Sequence, residues 1–323
     1  METFNWGIIG PGRIAAQFAA DLRRLPDARL AAVASRDGAR ATEFAARFEV
    51  ARAYDSYEAL AGDPGVDAIY VSVPHSHHLA CVLLALRQGK AVLCEKPLAV
   101  NAAQVAEMAC VSAEQGAFCM EALWTRFVPV TCQVLAWIAE GRIGEVRQLA
   151  GAWGFRTNVN PANRLFDPSL AGGSLLDMGV YAVGAAAMYL GAEPASVQAA
   201  AHLGETGVDE QTGMLLRYAN GALALLTCAI RTAGSQPQTI SGTSGQIDIW
   251  HSRPHDRAVL TAAGAEPLTV EGPADFSYEI EEVQRCVRAG LAASPLWPLS
   301  QSLAVARIMD AVRGQIGLRY PMD

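Results

Sequence analysis

Charge is scarce in this chain. Asp, Glu, Lys and Arg make up 18% of its 323 residues, against 51% hydrophobic residues, and that balance implies extensive burial of the kind that extends to a subunit interface. A basic excess is also missing. The net charge of −7 and a pI near 5.4 exclude the positive footprint of a nucleic-acid binder. No CxxC pair occurs among the seven cysteines, at 81, 94, 110, 119, 132, 228 and 286. Their number is odd and several lie in apolar runs, so they read as small buried hydrophobes in a reducing, cytoplasmic compartment. Residues 175–192 are mostly apolar but carry Asp177 and several glycines, which predicts a buried amphipathic helix and no membrane span. The amino terminus enters a strand pattern within a few residues, leaving no room for a signal peptide. Internal repeats and low-complexity tracts are lacking.

What is present begins with length, which favours two domains with a core each. We place them at 1–123 and 124–323. The expected fold class is α/β: an amino-terminal doubly wound parallel sheet of Rossmann type, then an α+β domain with a large, mostly antiparallel open sheet.

The chain is organised around Ala91-Val92-Leu93-Cys94-Glu95-Lys96-Pro97. An apolar run of this length reads as a central parallel strand buried on both faces, and Pro97, lacking an N–H, ends it. Lys96 is thereby delivered to the strand's carboxyl end, where open α/β sheets bind ligands. The alternative is an ordinary strand terminus with a solvated Glu95–Lys96 pair.

Upstream, an apolar strand over residues 4–9 runs into Gly10-Pro11-Gly12-Arg13-Ile14-Ala15, which opens a helix to about residue 25. This is GxGxxG/A between strand and helix. Gly10 permits the tight turn, Gly12 lets the backbone approach a pyrophosphate, and Ala15 allows close helix packing. The helix start at Arg13 and Ile14 offers N–H groups and a positive dipole end to phosphates. The second strand, residues 30–34, ends in Ser35-Arg36-Asp37, with Arg40 a turn further on. An NAD enzyme is expected to place a carboxylate here for the ribose, whereas Ser35 and the planar guanidinium of Arg36 suit a 2′-phosphate. NADP(H) is therefore the preferred cofactor and NAD(H) the second choice, which would hold if Asp37 took the ribose.

The next strand, residues 68–73, ends in Pro74-His75-Ser76-His77-His78. No carboxylate or thiol lies at a ligating interval, so no metal site is expected. Pro74, His75 and His78 are expected to face the cofactor from a strand-end loop. Tyr70 either packs on the cofactor or fills core, and residue type alone favours core.

Beyond Trp124 the pattern changes to successive strands over 146–155, 195–201, 213–218, 222–230, 238–241 and 246–250, with Asn220-Gly221 as a hairpin signal. The stripe Leu215, Leu223, Leu225, Thr227 with Trp153 suggests that one sheet face meets a copy of itself. Gly172-Gly173-Ser174-Leu175-Leu176-Asp177-Met178-Gly179-Val180-Tyr181 is the chemically informative piece. Ser174 is a candidate helix cap, and Asp177 and Tyr181, four apart, share a face. Such a polar pair is costly to bury without purpose, although a satisfied structural hydrogen bond would also account for it.

Gly10-x-Gly12, Pro74-x-x-x-His78 and Glu95-Lys96-Pro97, in this order and spacing, resemble the Gfo/Idh/MocA oxidoreductase family. Met120-Glu121-Ala122-Leu123-Trp124-Thr125-Arg126-Phe127 is similar to its dimeric dihydrodiol dehydrogenase branch, whose members also act as NADP-dependent D-xylose dehydrogenases. The similarity continues through Gly207-Val208-Asp209 to Ile316-Gly317-Leu318-Arg319-Tyr320-Pro321. Most of the wider family is expected to show Asp-x-x-x-His where this chain has Asp177 and Tyr181, and the dihydrodiol branch shares the tyrosine. The resemblance implies a homodimer or larger assembly formed sheet to sheet and a sugar or cyclic diol as substrate, while charge and composition argue against a nucleic-acid or membrane partner.

The chemistry expected is reversible hydride transfer between a CH–OH carbon and nicotinamide. Tyr181 can take the alcohol proton if its pKa falls from about 10. An ammonium such as Lys96 about 4 Å away is worth up to about 4 kcal/mol at an effective dielectric near 20, some three pK units. Asp177 would hold the substrate hydroxyl or orient Lys96. The inverse assignment, with Lys96 carrying the proton and Tyr181 shaping the substrate, stays open. Trp124, Arg126 and Phe155 are candidate pocket walls. Two alternatives share this architecture: a nicotinamide-assisted glycoside hydrolase, and a non-catalytic ligand-sensing regulator, which need not retain Lys96 or an acid-base residue at 181.

Overall fold

Strand and helix alternate through the first third of the chain: β1 (Phe4–Ile9), α1 (Arg13–Leu22), β2 (Ala28–Ala34), α2 (Gly38–Phe48), β3 (Arg52–Tyr54), α3 (Tyr57–Ala61), β4 (Ala68–Val71), α4 (His78–Arg87), β5 (Ala91–Glu95), α5 (Ala102–Gln115) and β6 (Cys119–Ala122). Then follow α6 (Pro129–Ala139), β7 (Val146–Gly154), α7 (Val180–Tyr189), β8 (Ser196–Leu203), β9 (Asp209–Arg217), β10 (Leu223–Ala229), β11 (Gln238–Gly242), β12 (Gly245–Trp250), β13 (His255–Ala262), β14 (Leu268–Pro273), α8 (Ser277–Arg288) and α9 (Leu299–Ile316). The computed structural model describes residues 2–323. They divide into two units, one reaching to Ala99 and including Ala103–Trp124 and Phe276–Ser302, the other comprising Val100–Ala102, Thr125–Asp275 and Leu303–Asp323.

The first unit is a parallel six-stranded sheet of order β3-β2-β1-β4-β5-β6. Every residue of β4 and β5 is buried, as expected of central strands covered on both faces by crossover helices. α1 faces the sheet with Ala15, Phe18, Ala19 and Leu22. Its Phe18 ring stacks on Tyr70 with centroids 3.9 Å apart and meets Trp6 edge-on at 5.4 Å, each such pair worth about 0.5–1.5 kcal/mol beyond its burial. The strand order reverses between β1 and β4, and there the two strand-end loops touch. A Cβ at Gly10 would stand 2.8 Å from Val73 Cγ1, and Gly10 has φ +91°, so only glycine fits. Residues 276–302, which the expected boundary assigns to the second domain, group with this unit because α8 packs on α1 and Asp21 accepts from the Phe276 amide at 3.2 Å.

The second unit is built on an eight-stranded sheet of order β14-β13-β12-β11-β7-β10-β9-β8. β7 and β10 run parallel and the other pairings are antiparallel. The Asn220-Gly221 hairpin forms as expected: Gly221 has φ +85°, and Asn220 Oδ1 accepts from the Ala222 amide at 3.1 Å. β13 and β14 have no counterpart among the expected strands, because a charged residue, Asp256, takes a buried position of β13 and β14 is largely exposed. α6 covers β13 and β14 while α7 covers β7 and β10.

The opposite face carries Leu223 and Leu225, 36% and 44% exposed. Trp153 does not belong to that stripe. It pairs with Cys228, which alternates onto the same face of β10 as the buried Ala224 and Leu226, and is itself buried. α7 is not amphipathic either, since it is buried nearly all round. The helical run from Pro168 to Tyr189 is long and apolar enough to cross a membrane by composition, yet it is mostly buried inside the unit, as a core helix is.

Candidate active site

The first unit holds the dinucleotide residues and Lys96. Gly12 opens α1 with no capping side chain, leaving the helix start to an anion. A Cβ at Gly12 would meet nothing nearer than Gly10 O at 4.0 Å, so the glycine leaves room for a pyrophosphate. Arg13 and Ile14 are exposed and Ala15 is wholly buried against the sheet. These features fit a dinucleotide at this turn.

At the end of β2 the Asp37 carboxylate caps α2, accepting from the Ala39 amide at 3.1 Å. Ser35 is buried, and its Oγ accepts from the Asp37 amide at 3.2 Å. Arg36 and Arg40 are exposed and both act on the half-buried Tyr57, whose phenol burial pushes up and these two guanidinium groups pull partly back. His77 stands in the same field: burial, then Arg36, hold its pKa below the ordinary value. The strand end is therefore a cationic patch whose neighbouring carboxylate is engaged in a helix cap.

His78 takes a different role from the one expected, and Tyr70 follows the core alternative over the cofactor one. His78 is wholly buried, its Nδ1 2.9 Å from Pro97 O and its Nε2 2.9 Å from Val73 O. Burial pushes it down to about 4, so the ring is neutral near pH 7 and donates to one carbonyl at a time. It clamps the loop after β4 to the loop carrying Lys96 and cannot touch a ligand. Tyr70 is also wholly buried, with its hydroxyl donating to Glu95 Oε1. Pairing inside the sheet replaces the cofactor contact considered for both. Glu95 Oε2 accepts from the Lys96 amide at 3.2 Å, so the carboxylate fixes the backbone from which Lys96 projects. Glu121, buried in β6, accepts from the Leu98 amide at 2.9 Å, from Trp297 Nε1 at 3.2 Å and from Ser302 Oγ at 2.6 Å, anchoring the other side of that loop. Pro74 precedes a short helical turn, His75–His77, in which His75 is buried. Trp124 meets Phe276 edge-on at 6.1 Å.

The second unit holds Asp177 and Tyr181. Residues Leu175–Gly179 form a π-helical turn continuous with α7, so Asp177 lies in the wider turn and Tyr181 in the helix proper. Asp177 is buried and accepts from Arg164 Nη2 at 3.1 Å. Arg164 was not a candidate from the sequence, since nothing local marks a lone arginine 13 residues away. Its neighbours anchor the turn: Leu165 and Phe166 are buried with Val208 and Ile230, and Phe155 packs on that cluster. Ser174 does not cap the helix. Its Oγ donates to Asp209 Oδ2 at 2.6 Å, and the same oxygen accepts from the Leu175 amide at 2.7 Å and Thr212 Oγ1 at 2.8 Å. Arg126 is half-buried and acts on the buried Tyr189, whose phenol burial pushes up while hydrogen bonding to Thr131 and the Arg126 charge lower it. Of the cysteines, Cys110 and Cys132 are exposed, contrary to the expected burial, and the other five are buried.

A parallel sheet of order 3-2-1-4-5-6 with a glycine turn at its switch point defines a dinucleotide-binding oxidoreductase domain, here joined to a second unit on an open sheet. Residues 4–123 match the oxidoreductase family with NAD-binding Rossmann fold, and residues 132–248 match the Gfo/Idh/MocA C-terminal domain. The chain belongs to the Gfo/Idh/MocA oxidoreductase family. It is 38% identical over 332 residues to the trans-1,2-dihydrobenzene-1,2-diol dehydrogenase of Bos taurus, covering 99% of this chain and 98% of that one. The enzyme of the same name from Homo sapiens is 38% identical over 331 residues, with the same coverage. Among solved structures, KijD10, a 3-ketoreductase from Actinomadura kijaniata in complex with NADP and TDP-benzene, superimposes with a TM-score of 0.86 at 28% identity over 98% of each chain.

Proposed function

We propose that this protein is an NADP-linked dehydrogenase of CH–OH groups that acts on a small sugar or a cyclic diol. The observation that carries the reading is Lys96, held at the carboxyl edge of the parallel sheet by Glu95 on one side and by the His78 clamp on Pro97 on the other. Through Val73 the same clamp reaches the Gly10 turn, which supports a role for Lys96 beside the dinucleotide crevice. The names of the diol dehydrogenases and of the NADP-bound ketoreductase support the substrate class and the cofactor. The cationic patch of Arg36 and Arg40, with Asp37 engaged in its cap, supports a 2′-phosphate over a bare ribose.

The Gly10–Gly12 turn with Arg36 and Arg40 would hold the dinucleotide, which when bound would supply a hydride acceptor for the carbinol carbon. Tyr181 is the general base that takes the hydroxyl proton, and Lys96 brings a positive charge to the carboxyl end of β5. Asp177 and Arg164 hold a substrate hydroxyl between an acceptor and a donor. Trp124, Arg126 and Phe155 shape the substrate space.

The exposed Leu223 and Leu225, with Leu215 and Thr227 beside them in register, support a homodimer formed across that sheet face. Seven free cysteines, two of them exposed, support a reducing, cytoplasmic setting.

The test is a substrate panel. D-xylose, other aldoses and trans-1,2-dihydrobenzene-1,2-diol are incubated with NADP+ and, separately, NAD+, and absorbance of the reduced nicotinamide is followed. Accumulation with NADP+ is expected. Glycoside cleavage with no reduced cofactor under any condition would overturn the reading in favour of hydrolysis.

A further inference from the structure

We propose that Asp209, on β9, is a positioning residue of the reaction: it sets the start of the helical segment that carries Asp177 and Tyr181. The proposal rests on the reading of those two residues given above. Asp209 is wholly buried. Its Oδ2 gathers the Leu175 amide, the Ser174 hydroxyl and the Thr212 hydroxyl, at 2.7, 2.6 and 2.8 Å. The Leu175 amide is an opening backbone donor of the segment, so a carboxylate from a strand 34 residues further along the chain does the work of an N-cap.

The surrounding residues leave this turn little freedom. Gly173 has φ +112°, and a Cβ there would clash with Asp209 Oδ1, so the carboxylate sits where only glycine admits it. On the other side the Tyr320 hydroxyl donates to Gly172 O. Arg313 in turn lies over the Tyr320 ring at 4.9 Å and donates to Val100 O at 3.0 Å. The turn is thus gripped from β9 and from the chain's last residues. Asp177 follows it by two residues and Tyr181 by six, along continuous helix, so a tilt or rotation at Leu175 is carried to both.

A merely structural cap has a cheaper solution. Ser174 itself could cap the helix at no desolvation cost, yet its hydroxyl is turned to Asp209. Instead a carboxylate is buried with its Oδ1 lacking a hydrogen-bond partner, a costly arrangement. The first turn is π-helical, a form common at functional sites and in need of an external anchor. What the buried carboxylate contributes is a fixed orientation.

The experiment compares Asp209→Ala, Asp209→Asn and Tyr181→Phe in the full-length protein, with trans-1,2-dihydrobenzene-1,2-diol and NADP+ as probes. The readouts are kcat per NADP+-binding site, KM, NADP+ affinity and the pH profile of kcat. Misplacement of a reacting group by about 1 Å can cost about 10²-fold. Asp209→Ala is expected to lose kcat on that scale and to shift the pH profile, with NADP+ affinity unchanged. Asp209→Asn, which keeps an acceptor oxygen, is expected to recover most of the lost kcat. Wild-type kcat and pH profile in Asp209→Ala, with Tyr181→Phe inactive, overturn the proposal alone. Full turnover in Tyr181→Phe overturns the underlying reading of the helix, and this proposal with it. Should Asp209→Ala fail to fold, the double variant Ser174→Ala/Thr212→Val decides: lowered kcat with intact NADP+ binding supports the proposal, and unchanged kcat and pH profile overturn it.

Discussion

Arg164 and Asp177 form an ion pair, Nη2 to Oδ1 at 3.1 Å, in which the carboxylate side chain is 7% exposed and the guanidinium side chain 44%. The pair joins the short helical turn Arg164–Phe166 to the π-helical turn ahead of α7. One nitrogen is held by Asp177 while the rest of the guanidinium faces solvent, a geometry that can both fix the carboxylate and offer donors to a substrate oxygen.

Arg164→Ala is therefore expected to raise KM for the diol or sugar by about 10-fold or more, the scale of one hydrogen bond to a charged group. The half-exposed pair should contribute below about 1 kcal/mol to stability, so chemical denaturation should change little. Steady-state kinetics beside a urea titration check this, and an unchanged KM removes Arg164 from substrate recognition.

Tyr181→Phe is expected to lower kcat by about 10²–10⁴-fold, the usual range for an acid-base group. In the wild-type protein, kcat for alcohol oxidation should rise with pH as the phenol loses its proton. Lys96→Met, which removes the positive charge at the carboxyl end of β5, should lower the maximum and shift that rise. A pH profile left in place by both substitutions would take the tyrosine out of the proton path.

Arg36→Ala is expected to weaken NADP+ binding by about 10–100-fold, the equivalent of losing a charge-assisted contact. NAD+ affinity should stay nearly constant, because Asp37 remains engaged with the Ala39 amide. Fluorescence titration with each dinucleotide separates the cases, and equal losses for both would defeat the phosphate assignment.

Asp209 also gives stability a pH dependence of defined sign. Burial, offset partly by hydrogen bonds from Ser174, Thr212 and Leu175, pushes its carboxyl up to about 6 from 3.8. Because the folded-state value lies above the unfolded one, the protonated group's contribution is fully present below pH 3.8 and is lost as pH rises through about 6. The buried neighbours Cys228 and Tyr320 are themselves pushed well up, chiefly by burial, so they stay neutral in this range. Relative to Asp209→Asn, which does not titrate, the wild-type protein should lose up to about 3 kcal/mol between pH 4 and pH 7. Urea denaturation of both proteins across that range checks it, and a constant difference would contradict the buried-carboxylate account.

The parts of the fold that sequence made legible are those with local causes. The turn at Gly10 and Gly12 follows from backbone sterics within a few residues, and β5 followed by Lys96 follows from an uninterrupted apolar run closed by Pro97. Asn220-Gly221 marks its hairpin for the same reason. Trp153 was misassigned because which face a strand residue occupies depends on register with the neighbouring strand: pairing with Cys228 puts it inside. His78 was legible as a residue at the carboxyl end of β4. Its burial, with both ring nitrogens against carbonyls, depends on the loop after β5 lying beside it.

By itself, then, the amino-acid order determined the alternation of strand and helix, the glycine turn, the lysine at a strand end and the family resemblance, because near-neighbour geometry and periodicity decide each of these. Tertiary structure alone decided that Asp209 caps a helix 34 residues before it, that Arg164 pairs with Asp177, and that residues 276–302 pack with the first unit. These contacts join residues remote along the chain. Their partners are chosen by packing and register, which no local pattern encodes.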